Sequence, residues 1–224
     1  MTTRFAGWIA AAIVLATLVA GLVALSQTAP DQMVATHFSV DGRPNGWMPA
    51  RFAYLVAPIL GAVIWMIIAL APRLTPRGEN LTKSGAAYGA IWILGALMGA
   101  FVQALILGGG RIGTLRPERA MPMAIGLIFV VFGNVMPKLR WNFVAGIRTP
   151  WTLADERVWD KTHRFAGWLM VLGGLCLLAS AILPGARPGV ALVVGVAAVV
   201  AVTPAVRSYF YWRERQSELK TLKG

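Results

Sequence analysis

Apolar residues run along this chain in six long blocks, at about 6–26, 53–72, 86–108, 120–137, 165–184 and 189–206, with polar connectors between them. No Lys, Arg, Asp, Glu or His falls inside any block. A spanning helix takes about 20 apolar residues, because a rise of 1.5 Å per residue must cross about 30 Å of hydrocarbon. The pattern therefore predicts an all-α, polytopic membrane bundle of about six transmembrane helices. The first block ends at Ala24-Leu25-Ser26, where a signal peptide could be cleaved. Its apolar run exceeds the roughly 7–15 residues of a signal core, so it is read as span one.

Composition agrees with this reading. Of 224 residues, 57% are hydrophobic and 13% charged, where a soluble domain carries about a quarter charged. The net charge of +12 is unevenly spread. With the N-terminus inside, the cytoplasmic segments 1–5, 73–85, 138–164 and 207–224 hold 15 Lys and Arg, and the outer segments hold 6. This is the positive-inside bias of a six-span chain with both termini cytoplasmic. Arg111, Arg116 and Arg119 on the outer side run against it. Attraction to anionic lipids accounts for the excess charge without a direct nucleic-acid partner. The single Cys176 excludes an internal disulfide, and His37 and His163 fall on opposite sides of the bilayer, so neither a metal site nor a cofactor is expected.

The connectors differ in information. The first outer loop, from Thr36 to Met48, carries Asp41-Gly42 and Asn45-Gly46 turn signals around Pro44, with His37 and Trp47 as candidate ligand contacts. Span two contains Pro58 and ends at Pro72, which suggests a kink. In span three, Gly85, Gly89, Gly95, Gly99 and Gln103 share one arc, read as a helix-packing face. The pentapeptide Arg-Phe-Ala-Gly-Trp occurs at 4–8 and again at 164–168, each time where a span is entered from the cytoplasm.

The most specific stretch lies between spans four and five. It runs Gly133-Asn134, Met136-Pro137-Lys138, Asn142, Gly146-Ile147-Arg148-Thr149-Pro150-Trp151 and Val158-Trp159-Asp160-Lys161-Thr162-His163. Gly146 and Pro150 break regular structure around Arg148, whose guanidinium could grip a carboxylate or phosphate through two bonds. Thr152 to Glu156 reads as a helix start, with Thr152 as its cap. Candidate ligand or partner contacts are Asn134, Asn142, Arg148, Thr149, Trp151, Trp159, Lys161 and His163, together with His37, Asp41 and Trp47 outside.

This stretch resembles the signature of the SdpI-type bacterial immunity proteins, and the His37–Trp47 loop resembles the small domain of unknown function that commonly precedes it. The resemblance divides the chain into an N-terminal two-span unit, 1–72, and an SdpI-like four-span unit, 73–224. It implies a multi-pass protein of the bacterial cytoplasmic membrane that gives resistance to a secreted antimicrobial peptide. The implied partners are membrane lipids, a peptide toxin outside and a transcriptional repressor held at the membrane inside. Two other readings stand beside it: a small-molecule or lipid transporter or channel, and a toxin-independent membrane sensor. The spans hold no ionisable residue for an ion path, and no constellation of acid, base and nucleophile suggests an enzyme.

Overall fold

The computed structural model describes residues 3–39, 43–109, 113, 117–183 and 190–222. Its order is α1 (Thr3–Ser26), β1 (Met33–Phe38), β2 (Pro44–Pro49), α2 (Ala50–Leu74), α3 (Gly78–Lys83), α4 (Ala86–Leu107), α5 (Pro117–Val135), a 3-10 turn (Met136–Lys138), α6 (Pro150–Ala154), α7 (Glu156–Ile182) and α8 (Val190–Thr221). Six of these helices are long and apolar enough to cross a membrane, as the hydrophobic blocks predict. The start of α1, where Ala6 packs with Leu81 and Tyr88, and the end of α8, where Arg215 meets Asp155, lie at one end of the bundle, here the terminal side; the connector between α1 and α2 lies at the other end of α1.

That connector folds into an antiparallel β-hairpin pairing Met33 with Pro49, Val34 with Met48 and Ala35 with Trp47. The turn signal at Asp41-Gly42 falls on residues outside those described. Asp-Gly between β-prone runs is a hairpin signal, and the run from Val34 to Phe38 supplies the first strand. An ion pair between Arg51 and Asp31, at 2.9 Å, ties the base of the hairpin to α2.

Two apolar clusters organise the bundle. The first joins Ala6 and Ala10 of α1, Ala71 of α2 and Tyr88, Trp92 and Ala96 of α4. The second joins Ala87 of α4 with Met136, Leu139, Trp159, Ala166, Met170 and Val200. Span three was expected to pack through its glycines. Gly89 and Gln103 are indeed buried, but a Cβ added to Gly85 or Gly99 would meet nothing within 4 Å, and one on Gly95 only Ile64 at 3.9 Å. The tight seam is elsewhere, between α5 and α7. There, added Cβ atoms would stand 2.6–2.9 Å from carbonyl oxygens across the Gly126/Gly174 and Gly133/Gly167 pairs. Each helix presents its two glycines seven residues apart, so two turns of each backbone approach the other directly.

The last helix also departs from expectation. The sixth block predicts a span ending near 206 and then a basic tail, yet α8 continues to Thr221. Residues 213–221 are rich in Arg, Glu, Gln, Leu and Lys, all good helix formers. Glu214 also meets Lys161 of α7, and Arg215 meets Asp155, the cap of α7.

Candidate functional site

The stretch singled out in the sequence forms a closed platform on the terminal side. Pro137 and the 3-10 turn stop α5, and the chain then winds around Asn142, which is fully buried. Its Nδ2 donates to the carbonyls of Arg140 (2.8 Å) and Ala145 (3.2 Å), and its Oδ1 accepts from the amides of Val144 and Ala145, both at 2.8 Å. Four bonds exhaust what an Asn side chain can make.

Beyond Asn142, Gly146 adopts φ 116°, and the amide of Ile147 donates to His163 Nε2 at 3.0 Å. Because Nε2 accepts, the ring proton sits on Nδ1, which donates to the Trp159 carbonyl at 2.9 Å. The imidazole stacks on the Trp159 indole at 3.8 Å between centroids, and Trp159 Nε1 donates to the Leu139 carbonyl at 2.7 Å. His163 is fully buried, and both its nitrogens are committed to the platform.

The second half of the platform is a pair of helix caps. Thr149, not Thr152, opens α6: its Oγ1 accepts from the Thr152 amide at 3.2 Å while Thr152 Oγ1 accepts from the Thr149 amide at 3.0 Å. Thr152 Oγ1 also donates to the Ile147 carbonyl at 2.7 Å. Asp155 caps α7, accepting from the amides of Arg157 (2.8 Å) and Val158 (3.2 Å). The same stretch holds α8 in place. Thr149 Oγ1 lies 2.8 Å from Ser208 Oγ, Trp151 meets Tyr209 edge to face at 5.2 Å, and Arg215 bridges Asp155 (3.4 Å) and Glu218 (3.1 Å). Lys161 lies 3.7 Å from Glu214 on the exposed surface.

Sequence reasoning missed the other wall, which comes from the short connector between α2 and α4. Asn80 Nδ2 donates to the Trp141 carbonyl at 2.8 Å, and the Arg140 amide donates to Ser84 Oγ at 3.0 Å. Arg77, left-handed at φ 55°, places its guanidinium 3.3 Å from the Trp141 ring centroid and 5.1 Å from that of Phe143. Nothing in the sequence pairs residue 77 with 141. Its only local signal is a lone cation ahead of a glycine.

The platform thus gathers Asn142, Arg148, Thr149, Trp151, Trp159, Lys161 and His163 at one end. Asn134 lies further along α5, and His37 and Trp47 lie on the hairpin at the opposite end. There His37 Nδ1 is 2.5 Å from Asn45 Oδ1, and Trp47 is exposed. Asp41 lies outside the described residues. Arg148 differs from its platform neighbours. It is exposed and spends one N–H on the Phe143 carbonyl at 2.9 Å, which leaves four donors facing outward. Chemically this places a guanidinium beside Phe143 on the exposed face of the platform.

Comparison with known proteins falls on both ends. Residues 138–208 match the SdpI/YfhL protein family, running from the turn after α5 to Ser208, the partner of Thr149. Residues 12–62 match a domain of unknown function, DUF1648, covering most of α1, the hairpin and the first half of α2. The immunity protein SdpI of Bacillus subtilis (strain 168) is 29% identical over 92 residues, which cover 41% of this chain and 44% of that protein. The chain therefore spans less than half the length of that relative in the match. No solved structure matches.

Proposed function

We propose that this chain, whose residues 138–208 match the SdpI/YfhL family and include most of the platform, is a membrane immunity and signalling protein. In this reading the hairpin faces outward and meets a secreted antimicrobial peptide. The platform faces the cytoplasm and offers Arg148 to a carboxylate on a partner, a transcriptional repressor held at the membrane. The observation that carries the reading is the contrast within the platform: Asn142, Thr152, Trp159 and His163 spend their polar atoms on the chain itself, while Arg148 is exposed with four unused donors. A planar fork of donors suits a carboxylate. The similarity to a protein named for immunity supplies the biological setting.

Survival under a membrane-active peptide toxin tests this in a sensitive bacterium expressing the chain. Wild type should protect, and Arg148→Ala and His37→Ala should each reduce protection at unchanged membrane levels. Arg148→Lys should also fail, because an ammonium cannot reproduce the fork. A correctly inserted wild type that gives no protection overturns the immunity reading. Full protection by Arg148→Lys removes the assigned role of Arg148.

A further inference from the structure

A notch of about 200 Å³ opens between α5 and α7 towards the terminal side, lined by Gly133, Asn134, Pro137, Gly167, Trp168 and Val171. Its floor is formed where the α5 and α7 backbones meet at Gly133 and Gly167. A Cβ on either glycine would stand 2.7 Å from the other's carbonyl oxygen. One wall is Trp168, 70% exposed. The other is Asn134, also exposed, which spends one amide N–H on the Val130 carbonyl at 3.2 Å. Its second N–H and its Oδ1 remain open. A carboxamide on the outer face of a spanning helix is costly against hydrocarbon unless something polar meets it.

Two exposed cations flank the notch on the terminal side: Lys138, four residues beyond Asn134, and Arg164, four residues before Trp168. On the regular helix α7, Arg164 lies about one turn, ~6 Å, nearer the terminal side than Trp168, and Lys138 ends the 3-10 turn that follows α5. Asp160, a further turn along α7, offsets part of the Arg164 charge. Moving into the membrane, the groups met are cations, then an open carboxamide and an indole, then apolar Val171. A glycerophospholipid presents its groups in the same order: phosphate, ester carbonyl, acyl chain.

We propose that this notch binds one glycerophospholipid from the leaflet on the terminal side. Its phosphate lies between Lys138 and Arg164, and an ester carbonyl accepts from the free N–H of Asn134. Its first acyl carbons run along Trp168 and Val171. The site is separate from the outward face of Arg148 and does not depend on the immunity reading.

Native mass spectrometry of the full-length, detergent-released protein tests it, titrated with phosphatidylglycerol and, in parallel, with diacylglycerol of the same chains. Wild type should retain one phosphatidylglycerol per chain and not retain diacylglycerol. Lys138→Gln combined with Arg164→Gln should weaken retention about 30-fold, and Asn134→Leu about fivefold. All three positions are exposed, so thermal melts should match wild type; the single charge variants serve if the pair melts early. Millimolar inorganic phosphate should not displace the lipid. Equal affinity in the variants, or equal retention of diacylglycerol, overturns the proposal. Displacement by phosphate would mark a site for the free anion and overturn it too.

Discussion

A side chain at position 146 would place its Cβ 2.2 Å from His163 Nε2, on a backbone whose φ of 116° already disfavours any L residue. Gly146→Ala should therefore cost about 2–5 kcal/mol, combining backbone strain with overpacking, and should lower the thermal midpoint in detergent; an unchanged midpoint would mean the loop does not close on His163. His163→Ala attacks the same contact from the other side. It leaves the partly buried Ile147 amide without an acceptor and removes the Trp159 stack, an expected loss of about 1–3 kcal/mol for the orphaned amide alone. Limited proteolysis of the loop between 139 and 149 should speed up in this variant, and unchanged cleavage would count against the bond. At this scale the sequence is a partial guide. Asn142, Thr149, Trp159 and His163 stand out because polar and aromatic residues cluster between apolar blocks. The partners of Asn142, Trp159 and His163, however, are backbone atoms of Arg140, Ala145, Ile147 and Leu139, which no side-chain pattern displays. Residues that read as ligands thus hold the shape of the platform, and Arg148 is left facing outward.

At the scale of elements, α2 and α4 solve a problem that α2 creates. Pro58 and Pro72 lack amide protons, which strands the carbonyls of Tyr54 and Ile68 four residues earlier. Helix α4 supplies both missing donors: Gln103 Nε2 donates to Tyr54 O at 3.2 Å, and the Tyr88 hydroxyl donates to Ile68 O. Gln103 is only 2% exposed, in keeping with a polar residue withheld from lipid. Tyr88→Phe should destabilise by about 1–2 kcal/mol. In a Pro72→Ala background, where the helix satisfies Ile68 itself, the same change should cost markedly less. A double-mutant cycle of unfolding in detergent measures the difference, and equal costs in both backgrounds would dismiss the proline link. The six spans were legible because lipid imposes length and polarity directly on sequence. The glycine seam was not. Gly126, Gly133, Gly167 and Gly174 are as ordinary in sequence as Gly95 and Gly99, and only the approach of α5 to α7 decides which glycines touch. The repeated Arg-Phe-Ala-Gly-Trp motif shows the same dependence on partners. In both copies the Ala and Gly are buried and the Trp is exposed, at 73% for Trp8 and 70% for Trp168. Yet Ala6 packs within the cluster of α1, α2 and α4, and Gly167 against Gly133 of α5.

For the whole molecule, α2 is the element that runs from the hairpin to the platform. It begins at β2, is pinned to the hairpin base by Arg51 and Asp31, and leads through Arg77 and Asn80 to Trp141. Any signal passing from one face to the other has this connection available, provided the faces lie on opposite sides of the bilayer in the assumed sense. Charge argues for that sense: 15 of the 21 Lys and Arg fall in the sequence segments 1–5, 73–85, 138–164 and 207–224, read as cytoplasmic. Length argues likewise. Helix α8, with 32 residues, extends about 48 Å, well beyond a hydrocarbon core of about 30 Å, and its surplus carries Arg213, Arg215 and Lys220. Chemical labelling decides the matter, because Cys176 is the chain's single cysteine. In a Cys176→Ser background, Gln27→Cys, exposed beside the hairpin, should react with a membrane-impermeant maleimide on intact cells. Ser217→Cys, exposed near the end of α8, should react only after permeabilisation. The reverse pattern would turn the platform outward, leave Arg148 no cytoplasmic partner and set the proposed lipid site in the opposite leaflet.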